Sequence, residues 1–350
     1  MSHPNRDARL LAIDPGLPGV VAKLQDRTAR VAVLMGGMST ERAVSLKSGK
    51  AVAGALEARG WHVDCIDVGP DLPQRLLHTQ ADVAWLALHG PFGEDGSVQG
   101  LLELMRIPYT GSDVRSSALA MDKISTKRML RGTGVRLPAD TVWTSGDAFP
   151  EGLEFPLIAK TPKGGSTIGI AKIDREGDLE KALLDLSRMD RQVLLEQRIV
   201  GEEITVAVLD GRALPVVAIR PRDRDGFFDF EAKYTTGCTD YIVPAPISDK
   251  AAADATRQAL VAWQTMGLSG IARADFIVDN NDEAWFLEVN TIPGMTATSL
   301  SPMAAGAVGI DFGALVEILL QGATLHIARA DGRDMASPGD RPTSSIPSPS

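Results

Sequence analysis

Between residues 29 and about 122 the chain alternates short apolar runs with helical patterns, and this rhythm leaves few folds open. Val31-Ala-Val-Leu-Met35 reads as a strand, about 39–59 as a helix ended by Gly60, 62–68 and 83–88 as further strands, and 97–105 as a helix. Strands separated by helices pair in parallel, because a crossover of helical length is what returns the chain to the same end of a sheet. The expected unit is therefore α/β, a doubly wound parallel sheet with ligands at the carboxyl ends of its strands.

At 350 residues the chain is too long for one ordinary domain, and two more patterns follow. A helix at about 117–131 leads into strands at 155–160, 168–173 and 192–196 with a helix near 178–188, a smaller mixed unit. Strands at 203–209, 213–220, 271–278 and 284–289, with helices at 250–266 and about 312–321, make a third. The expected division is an extension at 1–28, an α/β domain at 29–122, a central domain at 123–203, a C-terminal domain at 204–325 and a tail at 326–350. The tail is proline- and serine-rich with hardly a large apolar residue, so it should be disordered. Residues 221–241 break the pattern: the stretch is charged, lacks periodicity and carries Phe227, Phe228, Phe230, Tyr234 and Tyr241 as possible anchors. Long irregular loops inside compact domains are usually functional, and this one reads as a lid.

Composition narrows the function. The 36 basic residues against 45 acidic ones leave a net charge of −9, so there is no basic field for a nucleic acid or an anionic membrane. Apolar runs such as Val83–Leu88 fall far short of a membrane span, and no export signal develops near Leu10-Leu-Ala-Ile13. Cys65 and Cys238 lie far apart and form no CxxC unit, which argues against a disulfide framework or a cysteine metal site and fits a reducing cytoplasm.

The densest chemistry lies in Arg273-Ala-Asp275-Phe-Ile-Val-Asp-Asn-Asn-Asp-Glu-Ala-Trp-Phe-Leu-Glu288-Val-Asn290, two apolar runs joined by a polar turn. If Asp279 pairs with Ala284, Asp275 falls opposite Glu288 and Arg273 opposite Asn290, all on one face. Two carboxylates and an amide oxygen suit Mg²⁺, while a plain cross-strand ion pair on a solvated face is the other reading. Lys160 ends an apolar strand ahead of a glycine-rich turn, Gly164-Gly165-Ser166-Thr167, whose backbone amides could meet phosphate oxygens. The turn is not a P-loop, and alone it could equally be a flexible hairpin tip. Lys123 opens a helical stretch; Glu41 follows Gly36-Gly37-Met38-Ser39-Thr40 at a helix start, where it could receive a ligand ammonium or simply complement the helix dipole. His89 ends a strand at the carboxyl edge of the sheet, and the remaining histidines have no ligand spacing.

Together these segments resemble the ATP-grasp superfamily and, within it, the D-alanine:D-alanine ligase family. The matching strings are GGMSTERAVSLKSG at 36–49, LHGPFGEDGSVQGLLELMRIPYTGS at 88–112, ALAMDK at 118–123, the hairpin from Lys160 to Gly169, LLEQRIVGEEITV at 194–206, EAKYT at 231–235, RAD at 273–275 and EVNTIPGMTATSL at 288–300. One departure is Thr161-Pro162-Lys163-Gly164, where the usual family form has proline directly after the lysine and an Arg-acid pair before the glycine.

The resemblance implies a three-domain enzyme that clamps ATP between two sheets and makes D-alanyl-D-alanine for peptidoglycan precursors through an acyl phosphate. By motif position, Lys123, Lys160 and Lys233 would contact phosphates, Glu196 with the hinge residues Gln197 and Ile199 the adenine, and Glu203 the ribose. Asp275, Glu288 and Asn290 would bind two Mg²⁺, with Mn²⁺ able to substitute. Glu41 would receive the first D-alanine's ammonium, Arg273 and the Gly294 backbone its carboxylate, and Ser299 with the Leu300 amide the second carboxylate. His89 would lie near the reacting substrates, and Ser166 and Tyr234 would link turn and lid to Glu41. A homodimer is implied by family analogy alone. Rival readings are a depsipeptide or D-alanyl-D-serine ligase and an ATP-binding regulator. A dehydrogenase is disfavoured because Gly36-Gly37-Met38-Ser39 lacks GxGxxG.

Overall fold

The computed structural model describes residues 18–164, 169–222 and 239–327. Helix α1 (Pro18–Gln25) precedes a parallel sheet of β1 (Arg30–Met35), β2 (His62–Asp67) and β3 (Val83–Leu86), in the order β2-β1-β3. Its crossovers are α2 (Arg42–Glu57) and α3 (Leu72–Thr79), and α4 (Ser97–Met105) follows β3. β1 is buried along five of its six residues, as expected of a central parallel strand covered on both faces.

The helix expected at 117–131 is two helices, α5 (Val114–Met121) and α6 (Lys123–Leu130). Asp122 breaks it: its backbone is extended and its carboxylate accepts the Ser125 amide, an N-cap that restarts the helix at Lys123. A four-stranded antiparallel sheet follows, ordered β4-β7-β5-β6, from β4 (Asp140–Thr144), β5 (Leu157–Lys160), β6 (Ile170–Ile173) and β7 (Gln192–Gln197). Helix α7 (Leu179–Ser187) covers it, with Leu179, Leu183 and Leu186 buried against Trp143, Leu157, Val193 and Leu195.

The third sheet is antiparallel, ordered β11-β10-β8-β12-β13, with β9 added to β8. Its strands are β8 (Glu202–Leu209), β9 (Arg212–Ala213), β10 (Val217–Pro221), β11 (Thr239–Ile242), β12 (Ile271–Val278) and β13 (Ala284–Asn290). Helix α8 (Asp249–Met266) packs on one face, burying Ala251, Ala255, Ala259, Ala262 and Trp263. On the other side Ala207, Leu209, Val217 and Ile271 share a core with β1, α2, α9 (Leu300–Ala307) and α10 (Phe312–Gln321). The parallel sheet and the C-terminal sheet are thus joined by continuous apolar packing, whereas the four-stranded sheet has a core of its own.

Two expectations need correction. Leu24 of α1 is buried in that shared core and Lys23 pairs with Asp82 at 2.5 Å, so the segment after residue 17 is built into the first sheet's surroundings. Within 221–241, Thr239-Asp240-Tyr241 are not loop but belong to edge strand β11, paired with β10. Residues 223–238, with most of the expected lid, lie outside the described residues, as do 1–17, 165–168 and 328–350.

Candidate functional site

The acid-bearing face of β12 and β13 depends on one irregularity. Near the turn the register is Val278↔Ala284, Ile277↔Trp285 and Phe276↔Phe286, one residue off the pairing expected from Asp279. A bulge then leaves Leu287 without a partner, and the ladder resumes with Asp275↔Glu288 and Arg273↔Asn290. An extra residue on one strand reverses its in/out alternation. Ala284 and Phe286 therefore face the core beside Phe276, while Glu288 and Asn290 share the opposite face with Arg273 and Asp275. Arg273 holds Asp275 in a two-pronged pair at 2.9 Å through each nitrogen, and the Thr205 hydroxyl donates to the same carboxylate at 2.6 Å.

Lysines approach this face from the central sheet. Lys123, the first residue of α6 and buried, lies 3.1 Å from Glu288 and donates to the Gly164 carbonyl at 2.6 Å. Lys160 at the end of β5 pairs with Glu196 at 2.6 Å. Burial works against the Lys160 ammonium, but Glu196, with Glu288 and Glu203 beyond it, holds its pKa above the usual lysine value. Burial likewise opposes the Glu196 carboxylate, and Lys160 and Lys127 outweigh it to keep Glu196 below the usual range.

From the parallel sheet come Glu41 and His89. Glu41 stands at the N-cap position of α2 without using its carboxylate to cap it, because Ser39 makes the local bonds: its hydroxyl donates to the His89 carbonyl at 2.6 Å and accepts the Glu41 amide. A side chain at Gly90 would come within 3.0 Å of the Glu41 carboxylate, and its φ of +73° also favours glycine there. His89 is buried, which pushes its pKa down despite the nearby Glu41. Its Nε2 lies 3.3 Å from the Ser48 hydroxyl, which accepts the Met295 amide at 3.2 Å. Glu94 is also buried beside Glu41, and its pKa is pushed up to about 8 although the Gly90 amide donates to it.

The segment after β13 completes the constellation. Asn290 accepts the Ile292 amide at 3.0 Å, and Ser299 accepts the Thr296 amide at 3.1 Å. Ser299 occupies the N-cap position of α9 without capping it, and Leu300 is the first helical residue, where backbone amides lack helical partners. A cavity of about 370 Å³ lined by Arg136, Lys250, Asp254, Arg257, Asp282 and Glu283 shares no residue with this site.

Family models describing the D-ala D-ala ligase N-terminus and C-terminus match residues 70–112 and 140–321. A D-alanine–D-alanine ligase of Syntrophotalea carbinolica is 48% identical over 298 residues, spanning 85% of this chain and 97% of that protein. The chain belongs to the D-alanine–D-alanine ligase family. A relative of the same name from Ectopseudomonas mendocina is 48% identical over 294 residues, 83% of this chain and 93% of its own. The crystal structure of a Bacillus anthracis D-alanine–D-alanine ligase complexed with ATP superposes with a TM-score of 0.74 at 32% identity, covering 84% of this chain and 97% of that one.

This ligase-family chain brings Lys123, Lys160, Glu196, Glu203 and Glu288 into one electrostatic neighbourhood and Glu41, His89 and Arg273 into another. Arg273 and Asp275 join the two. Gln197 is exposed and Ile199 half-buried at the end of β7. Ser166, Lys233 and Tyr234 lie outside the described residues. Asp275, Glu288 and Asn290 offer hard oxygens on one face, a donor set that fits Mg²⁺, which takes few carboxylates and completes its shell with water and phosphate. Among the described residues no group of three or more His, Cys, Asp or Glu forms a full metal cage. Sequence reading passed over Glu94, Ser48 and Lys127. Glu94 and Lys127 stand inside the strings that carry the resemblance or beside Lys123, but their burial has no signature in sequence.

Proposed function

We propose that this chain joins two D-alanine molecules into D-alanyl-D-alanine at the expense of ATP, in the service of peptidoglycan precursors. The observation that carries the reading is the Arg273–Asp275 couple, which links the lysine-rich cleft to the pocket of Glu41 and His89. The central unit, with its separate core, and the C-terminal sheet are read as the two halves of an ATP clamp, divided at 123–203 and 204–325.

A carboxylate has no usable leaving group, so the first D-alanine's carboxylate oxygen attacks the γ-phosphorus of ATP and the bond to ADP breaks. The product is an acyl phosphate. Lys123 and Lys160 neutralise phosphate charge, Glu196 with Gln197 and Ile199 meets the base, and Glu203 meets the ribose. Asp275, Glu288 and Asn290 would hold two Mg²⁺, or Mn²⁺ in their place, and those ions supply further charge neutralisation at the phosphates. Glu41 takes the first ammonium, while Arg273 and the Gly294 backbone hold the first carboxylate and stabilise the oxyanion. Ser299 and the Leu300 amide take the second carboxylate, with His89 close by. The second D-alanine's neutral amine attacks the acyl carbon, phosphate departs and the amine proton is lost. By the family resemblance, Lys233 would reach the γ-phosphate, and Ser166 and Tyr234 would link the glycine-rich turn and the lid to Glu41 against water.

The assay is ADP release by wild type with D-alanine, L-alanine, D-serine and D-lactate, alongside product identification. One ADP per D-alanyl-D-alanine is expected, with little release for the other compounds. ADP release that ignores D-alanine, or a dominant ester product with D-lactate, sinks the assignment. The same preparation tests the implied homodimer by sedimentation. No helix of the described residues is long and apolar enough to cross a membrane.

A further inference from the structure

Lys127 is 1% exposed on α6, one turn beyond Lys123, and its ammonium sits between two acids of the central sheet. Those acids, Asp140 of β4 and Glu196 of β7, are direct cross-strand partners, an arrangement in which like charges repel. Lys127 lies 2.5 Å from Glu196 Oε1 and 3.7 Å from Asp140, and it donates to the Pro138 carbonyl at 3.2 Å. The Glu196 carboxylate, the Pro138 carbonyl and, farther off, Asp140 enclose the ammonium, so this lysine is turned toward protein acceptors. Lys160 is different. It meets Glu196 on the other oxygen, Oε2, and stands at the strand end beside the Gly164 turn with Glu203 and Glu288 in its field.

We propose that Lys127 is a positioning residue of the nucleotide site, the permanent counter-ion that keeps Glu196 anionic while Lys160 turns to phosphate. The inference rests on the ATP-dependent reading above and deepens it. When a polyphosphate draws Lys160 away, Glu196 becomes a buried carboxylate that only Lys127 balances, and an unbalanced buried charge either takes up a proton or recaptures its partner. Either event harms nucleotide binding. A protonated Glu196 offers a hydroxyl where a purine 6-amino group needs an acceptor, and a recaptured Lys160 is lost to the phosphates. An anionic Glu196 favours a 6-amino purine and repels the oxygen of a 6-oxo purine, so Lys127 acts indirectly on base selectivity.

The test compares wild type, Lys127→Met, Lys127→Arg, Glu196→Gln and the double variant Lys127→Met/Glu196→Gln, with ATP and inosine triphosphate as substrates. Lys127→Met is expected to raise KM for ATP about tenfold or more, the scale of one lost charge-assisted bond, and to lower the ATP-to-inosine-triphosphate preference. KM for D-alanine should stay within about twofold, since among the described residues the partners of Lys127 are Glu196, Asp140 and Pro138 and none of them pairs with Glu41 or His89. Lys127→Arg should recover much of the loss, and the double variant should be no worse than Glu196→Gln alone. Should Lys127→Met fail to fold because Asp140 and Glu196 then face each other unbalanced, Lys127→Met/Asp140→Asn restores the charge count and takes the same measurements. A folded variant with unchanged ATP KM and base preference, or additive effects of the Lys127 and Glu196 changes, would overturn the proposal. Calorimetric binding of a non-hydrolysable ATP analogue without D-alanine reads the nucleotide site directly, so failure of this inference is separable from failure of the ligase assignment.

Discussion

Asp275 lies directly opposite Glu288 across the β12–β13 pair, and the unpaired Leu287 is what brings them face to face. Were Leu287 instead paired with Asp275 as an ordinary ladder residue, the alternation running from Ala284 and Phe286 would carry Glu288 and Asn290 into the apolar core beside Phe276. Bulges commonly re-aim side chains in this way next to functional sites.

Glu288→Gln should therefore retain the fold and lose turnover. It removes one charge from the acid face and replaces the ion pair with Lys123 by a hydrogen bond from the ammonium to an uncharged amide oxygen. A turnover loss of at least about a hundredfold is expected, the consequence of several kcal/mol less charge stabilisation at the phosphates. Deleting Leu287 joins Phe286 directly to Glu288 opposite Phe276 and Asp275, leaves the carboxylate on its face, and should therefore keep more turnover than Glu288→Gln. A Leu287 deletion that folds but turns over no faster than Glu288→Gln would contradict this account of the bulge.

Strands, and the parallel sheet above all, were readable because buried runs such as Val31–Met35 are both apolar and short. The acid hairpin was readable as a hairpin with its acids on one face, yet its bulge was not. Trp285, Phe286 and Leu287 are all apolar, so no alternation marks the residue at which the strand changes phase. Strand β4 and helices α3 and α9 escaped because each is short and takes its burial from distant elements. Glu41 and His89 were legible from their position after strand ends. Nothing in the sequence marks Lys127, and only the pairing of Asp140 in β4 with Glu196 in β7, 56 positions apart, reveals the acids that bury it.

Glu94 should make the folded protein sensitive to alkali. Its pKa is raised by burial to about 8 in the folded state, above the ordinary carboxylate value, so the native state holds a proton that the unfolded chain has released. Stability from this group is present below the ordinary value and is lost as pH rises through about 8. Glu94→Gln keeps an oxygen for the Gly90 amide and has no proton to lose. Its advantage over wild type should grow between about pH 5 and 8 by up to about 1.4 kcal/mol per unit. Urea midpoints measured across that range check the trend, and a difference independent of pH would refute it.

Leu24 should prove a core residue in spite of its place near the start of the sequence. It is 3% exposed among Val31, Val33 and Leu56, so Leu24→Ala should cost about 2–5 kcal/mol. Truncation through Asp26, which the weak periodicity of that segment suggests is harmless, should destabilise by a similar amount, since it removes Leu24 and the Lys23–Asp82 pair together. Equal melting temperatures for the truncated and full-length chains would show that Leu24's burial is energetically idle.

Ser48 should fix the protonation pattern of His89. The Ser48 oxygen accepts the Met295 amide, so its own proton is directed to His89 Nε2, 3.3 Å away. A neutral imidazole carries one donor and one acceptor, and burial keeps this ring neutral at physiological pH by pushing its pKa down. Nε2 is then the acceptor and Nδ1 bears the hydrogen. The same contact ties α2 to the segment that carries Gly294 and Ser299, so loss of the hydroxyl acts on both the ring and the placement of that segment. Ser48→Ala leaves the Met295 amide without its acceptor and should cost about 1–3 kcal/mol of stability. It should also raise KM for D-alanine more than KM for ATP, because Glu41 and Arg273 surround His89 whereas Lys160 and Glu196 do not. Nitrogen-15 shifts of the His89 ring report the tautomer directly: wild type should show a protonated Nδ1, and the variant a mixed signal. A protonated Nε2 in wild type, or a variant with unchanged stability and D-alanine KM, would reverse the assignment of donor and acceptor at this contact.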